Sequence, residues 1–113
     1  MNIIANPKSK IESVDFNNLA FGKIFTDHMF SCHYRDGQWR APEIKAYQPI
    51  TLDPSASVLH YGQAVFEGMK AFKDEQDQVW LFRPDENFKR INRSARRLQI
   101  PEFPESYFLN GLK

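Results

Sequence analysis

Along this chain the rhythm of hydrophobic and polar positions changes several times, and each change marks an element. From Phe21 to Tyr34 the run is rich in β-formers, and Arg35-Asp36-Gly37-Gln38 follows with the Asp-Gly pair of a tight hairpin. The pattern predicts a strand, a turn and a return strand starting at Trp39. Pro42 and Pro49 limit how far the return strand pairs, because neither has an N–H to give to the ladder. From 43 to 58, Ile44, Ala46, Ile50 and Leu52 alternate with polar neighbours before the loop Asp53-Pro54-Ser55-Ala56-Ser57, which predicts another strand and a turn. Residues 1–20 scatter Ile11, Val14, Phe16 and Leu19 without a period and read as an extended, loosely structured lead-in.

The next stretch is Leu59-His60-Tyr61-Gly62-Gln63-Ala64-Val65-Phe66-Glu67-Gly68-Met69-Lys70-Ala71-Phe72. It sets large apolar side chains beside two glycines, which predicts a short helical turn starting near Gly62 and stopping at Gly68 as a glycine C-cap. Such a turn serves either as a ligand wall or as a tightly packed corner, and spacing alone leaves both open. Met69–Phe72 and Val79–Phe82, around the polar run Lys73–Gln78, read as a hairpin. Arg83-Pro84 then opens a helix with proline in its first turn, Asp85 and Glu86 beside it, and Arg96 and Arg97 in the last turn, as the helix dipole favours. Phe88, Ile91, Ala95 and Leu98 form its apolar stripe, and Pro101 is expected to end it. A second helix is expected from Glu105 to Lys113. The chain stops inside that amphipathic pattern and so reads as the front part of a longer protein.

Composition narrows the function classes. The 113 residues are 42% apolar and 26% charged, an ordinary globular balance. No stretch approaches the roughly 20 apolar residues of a membrane span. The start lacks the build of a signal peptide, and Cys32 has no partner for a disulfide, so cytoplasmic residence is expected. A net charge of +1 confines any nucleic-acid role to a local patch. Aromatic residues reach 14%, more than a small core absorbs, so some rings are expected to face a ligand or other protein.

Candidate chemistry concentrates on the helix after Pro84. Arg90, Arg93, Ser94 and Arg97 lie on neighbouring positions of one face, a pattern that suits a phosphate because guanidinium forks bind its oxygens in pairs. The bland alternative is a solvated face in which Glu86 pairs with Arg90. A reading of a different class makes the chain a stand-alone binding module that lays the basic helix 85–98 on nucleic acid. His28, Cys32 and His33 lack a zinc-site spacing, and His60 reads as a hydrogen-bonded structural residue. Lys70 reads as solvent-facing rather than as a Schiff-base lysine.

Three motifs in register carry a family resemblance. Phe21-Gly22-Lys23-Ile24-Phe25-Thr26-Asp27-His28-Met29, then Leu59-His60-Tyr61-Gly62 through Phe66-Glu67-Gly68-Met69-Lys70-Ala71-Phe72, then Leu81-Phe82-Arg83-Pro84 with Asn87, Arg90, Ser94, Ala95, Arg97 and Leu98, resemble the branched-chain amino acid aminotransferases. The resemblance runs from about Phe21 to Pro101. It implies an α+β fold of antiparallel strands with flanking helices, the small N-terminal domain of a fold-type IV pyridoxal-phosphate enzyme, occupying residues 21–113 after the lead-in. It implies that Arg90 binds the cofactor phosphate and that Phe21, Tyr61 and Phe66 line the pocket for the substrate side chain. It further implies branched-chain amino acids and 2-oxo acids as substrates, a C-terminal domain of the same enzyme as partner, a homodimer, and neither nucleic acid nor membrane. The family's Schiff-base lysine belongs to the C-terminal domain, so the 113 residues are expected to be inactive alone. No catalytic residue is assigned within them.

Overall fold

A computed structural model describes residues 1–113, which divide into two compact units, Met1–Thr51 and Leu52–Lys113. The first unit is built on a three-stranded sheet. Strand β1 (Asn2–Ile3) pairs in parallel with β5 (Glu43–Ala46), and β5 pairs antiparallel with β2 (His28–Ser31), in the order β1-β5-β2. The predicted hairpin is present at the tip of this pair. Asp36 and Gly37, with φ of 52° and 76°, turn β3 (Tyr34–Arg35) into β4 (Gln38–Trp39), the left-handed geometry that Asp-Gly accommodates. Strand β5 fits between Pro42 and Pro49, as the missing donors require.

Two expectations change here. The first long strand is far shorter than its β-formers suggest, because Gly22 takes φ 70° and Lys23 N–H bonds to the Ala20 carbonyl, so Phe21 sits in a turn and pairing waits until His28. The lead-in is also more ordered than its lack of period implied. Beyond β1 it forms a short 3₁₀ turn (Ile11–Ser13) and is fastened to the sheet. The Asn6 N–H donates to His28 Nε2 at 3.0 Å, and Ser9 Oγ and the Lys10 N–H bond the Asp27 carboxylate at 2.7 and 3.0 Å. The Ser9 hydroxyl is the leading cause that holds the Asp27 carboxyl below its ordinary pKa.

In the second unit, α1 (Ser57–Tyr61) leads to the hairpin of β6 (Ala71–Lys73) and β7 (Val79–Leu81), followed by α2 (Pro84–Arg97) and α3 (Glu105–Gly111). The Asp74 carboxylate ties the hairpin turn together, accepting from the Gln76 and Gln78 N–H groups and from Trp80 Nε1. Helix α2 has the predicted proline, acids and bases in place. It ends before Pro101: Gln99 turns left-handed with φ 56° and the Ile100 N–H caps the Ala95 carbonyl. Phe88 meets Phe108 of α3 at 5.7 Å, and Ala95 is buried, but Leu98 of the predicted stripe stays exposed.

The deepest positions of α2 otherwise belong to two asparagines, Asn87 and Asn92. Asn92 is satisfied by the backbone of Phe103, donating to its carbonyl at 2.9 Å and accepting from its N–H at 2.7 Å. The chain is thus α+β, with antiparallel pairing in most of its short sheets. No helix is long and apolar enough to cross a membrane. Total accessible surface is 9709 Å², whereas two separately folded bodies of these lengths would together expose about 7,800 Å². Large apolar side chains contribute to it: Phe21, Tyr61, Phe66, Phe72, Trp80 and Phe82 are all exposed.

Candidate functional site

Helix α1 sets the geometry of the glycine-rich stretch. It lies before Gly62, and Gly62, at φ 59° and ψ 27°, is its left-handed cap. The expected turn between Gly62 and Gly68 is therefore replaced by a helix that stops where that turn was to begin, and Gly68 has no positive φ. His60 has the structural role expected of it, donating from Nε2 to the Pro54 carbonyl at 2.6 Å. Tyr61, the last residue of α1, is 86% exposed.

After Gly62 the chain runs beside α2. Gln63 Nε2 donates to the Leu98 carbonyl at 2.7 Å, while four residues later Glu67 reaches Asn87 and Arg90. Four extended steps cover about 13 Å, and Arg90 to Leu98 along a helix is about 12 Å, so the two distances match and the segment lies antiparallel to the helix. Burial alternates from Val65 to Lys70, as in extended chain. Phe66 is consequently 93% exposed, whereas the Glu67 side chain retains only 8%. Lys70 falls on the exposed side, as its reading as a solvent-facing residue requires.

The Glu67 carboxylate accepts from Arg90 Nε at 2.7 Å, from Arg90 Nη2, from the Gly68 N–H at 2.9 Å and from Asn87 Nδ2 at 3.2 Å. Asn87 also donates to the Gly68 carbonyl at 3.0 Å. Asn87 and Arg90 stand three apart on the helix, which puts both on one face. The Arg90 hydrogen bonds above all hold the Glu67 carboxyl down, to a pKa of about 2, and the same contacts raise that of Arg90. Glu67 is therefore a carboxylate throughout the physiological range.

This network corrects the bland reading of the helix face. Arg90 pairs with Glu67, while Glu86 pairs with Lys89 and Arg83. It also fixes what Arg90 has left to offer. Nε and Nη2 form one edge of the guanidinium and face Glu67; the Nη1–Nη2 edge keeps two parallel N–H donors, Nη1 a third beside it, and the side chain is 56% exposed. A phosphate fits that remaining edge. Ser94 contributes less than its position suggested, since its hydroxyl donates to the Arg90 carbonyl at 3.1 Å.

Of the residues singled out from sequence, the structure places Tyr61, Phe66 and Arg90 in the second unit and Phe21 in the first. Sequence reasoning missed Glu67, Asn87 and Gln63. A signal existed for Glu67: an acid between Phe66 and Gly68 in an apolar run needs a cationic partner wherever that run is packed. Four of the six cations between Arg83 and Arg97 (Arg83, Lys89, Arg90, Arg96) are engaged by carboxylates, which leaves little of a continuous basic face.

No model of a known protein family matches the chain. Individual relatives do. Branched-chain-amino-acid transaminase 1 of Bacillus subtilis is 51% identical over 102 residues, which is 89% of this chain and 29% of that protein. Branched-chain-amino-acid aminotransferase 2 of the same organism is 53% identical over 100 residues, 88% of this chain and 28% of its own length. The branched-chain-amino-acid aminotransferase of Mycolicibacterium smegmatis is 50% identical over 97 residues, 85% of this chain and 26% of that protein. The chain therefore spans less than a third of the curated relatives it matches. Over 89% of its length it is homologous to part of the branched-chain-amino-acid aminotransferases.

Proposed function

We propose that this chain is the N-terminal part of a fold-type IV, pyridoxal-phosphate-dependent enzyme that transfers the amino group of Leu, Ile or Val to 2-oxoglutarate. The carrying observation is the sequence identity of about half with transaminases of that name over 88–89% of the chain. Arg90 agrees with it, because the arginine that the resemblance implies for the phosphate keeps exposed N–H donors beyond those that Glu67 takes.

The cofactor, when bound, supplies the electron sink that loosens bonds at the substrate α-carbon. This chain's residues would hold and shape the site around it. Arg90 would hold the phosphate with the guanidinium donors that Glu67 leaves free. Tyr61 and Phe66 would present apolar surface to a branched side chain, and Phe21 of the first unit carries the same role by the resemblance alone. The proton-moving lysine is assigned to the C-terminal domain of the same enzyme, and Lys70 takes no part. The excess apolar surface is what a domain would leave uncovered for such a partner, and a cytoplasmic homodimer completes the proposal.

The test uses the full-length protein. Leucine and 2-oxoglutarate should yield glutamate, with cofactor affinity falling at least tenfold in Arg90→Ala, the worth of one charge-assisted hydrogen bond of about 1.5 to 3 kcal/mol. Absence of glutamate formation with all three branched-chain amino acids refutes the substrate assignment, and undiminished cofactor affinity refutes the role of Arg90. The 113 residues alone should not turn over leucine.

A further inference from the structure

We propose that Glu67 is a positioning residue: it holds the Arg90 guanidinium by one edge so that the opposite edge stays aimed at the cofactor phosphate. The inference rests on the reading of Arg90 given above and adds a residue to which that reading assigned nothing. An arginine on a helix surface samples many rotamers, and a phosphate that binds it must order it. Glu67 supplies that ordering from within the chain itself.

The geometry carries the argument. Glu67 is itself fixed before it meets Arg90, since the Gly68 N–H and Asn87 Nδ2 both bond Oε1 and Asn87 is anchored in turn on the Gly68 carbonyl. Its second oxygen, Oε2, takes the Arg90 Nε–H at 2.7 Å. Two parallel bonds from a planar fork to a planar carboxylate define the orientation of the guanidinium, which one bond would not. The bidentate pair is neutral overall, so what it offers a phosphate is directed N–H donors rather than net charge. Phe66, the adjacent residue, emerges on the other side of the chain. One short segment thereby fixes both the phosphate grip and an aromatic wall.

The experiment is a double-mutant cycle on cofactor affinity in the full-length apoprotein, with Glu67→Gln, Arg90→Gln and both, titrated with pyridoxal phosphate and with pyridoxal. Glutamine keeps the size of Glu67 but turns an amide –NH₂ toward donors. Glu67→Gln should weaken pyridoxal phosphate about tenfold, should do nothing further once Arg90 is glutamine, and should leave pyridoxal binding unchanged. A Glu67→Gln loss of the same size in the Arg90→Gln background overturns the positioning role, as does no loss while Arg90→Gln itself binds poorly. Undiminished affinity in Arg90→Gln overturns the phosphate reading instead. A measurement on the unaltered apoprotein guards against a variant that does not fold. The Arg90 Nε–H should give a discrete, slowly exchanging NMR signal without ligand, and a signal averaged with solvent-exposed arginines overturns the proposal.

Discussion

Replacing Asn92 with alanine tests the least expected part of the fold, a polar side chain buried between α2 and the connection that follows it. Asn92 is 5% exposed, and its amide satisfies both backbone groups of Phe103. Each bond withdrawn from a buried group costs about 1 to 3 kcal/mol. Alanine returns roughly 0.6 kcal/mol through its better helix propensity, and water replaces part of the rest, because Phe103 is half-buried. A net loss of about 2 kcal/mol follows. That corresponds to roughly thirtyfold faster opening around Phe103. Amide hydrogen exchange of the Phe103 N–H reads it directly, since Asn92 Oδ1 is its acceptor. Asn92→Asp separates the two bonds: the acceptor survives, so protection at Phe103 should persist, while a carboxylate set against the Phe103 carbonyl lowers overall stability. Exchange at Phe103 within threefold of the unaltered protein in Asn92→Ala would refute the reasoning.

Three further outcomes are expected. Gly62→Ala should cost about 1 kcal/mol through backbone strain alone, because φ is 59° and nothing lies within 4 Å of an added Cβ; Gly62→Asn should cost less, and an unchanged urea midpoint for alanine would remove Gly62 as the cap of α1. Tyr61→Ala and Phe66→Ala should each lower kcat/KM for leucine about tenfold in the full-length enzyme, as loss of a wall side chain worth 1 to 2 kcal/mol does, and an unaffected value takes that residue out of the pocket. Glu67, whose carboxyl is held near 2 against an ordinary 4.5, contributes stability that is complete above pH 4.5 and is lost as pH falls toward 2, since the unfolded chain binds the proton more readily in that window. Urea midpoints measured between pH 7 and 2 should accordingly fall less steeply for Glu67→Gln, and parallel acid limbs would contradict it.

Local chemistry was readable from sequence wherever it sufficed. Helix α2 shows this, because proline, acids, bases and apolar spacing all point the same way. The hairpin turns at Asp36-Gly37 and Asp74–Gln78 were equally legible. Long-range partners were not. Two-residue β1 finds β5 41 positions later with no period to announce it, and Glu67 finds Arg90 across 23 residues. The placement of α1 failed for another reason: a glycine marks a helix end, but not from which side the helix arrives, and both Gly62 and Gly68 were available. The burial of Asn87 and Asn92 was not legible, because burial of an amide depends on backbone groups that the helix's own sequence does not contain.

The parallel strand at the start of the chain also decides how the protein should be handled. Because the order is β1-β5-β2, β5 is an interior strand only as long as Asn2–Ile3 lie against it. Trimming the first ten residues for expression would bare the backbone of Glu43 and Ile44 on one side and strip Asp27 of the partners supplied by Ser9 and Lys10. A strand edge opened in this way is a template for another chain. A shortened version would then be expected to self-associate through β5, and the first symptom would be precipitation rather than loss of any site.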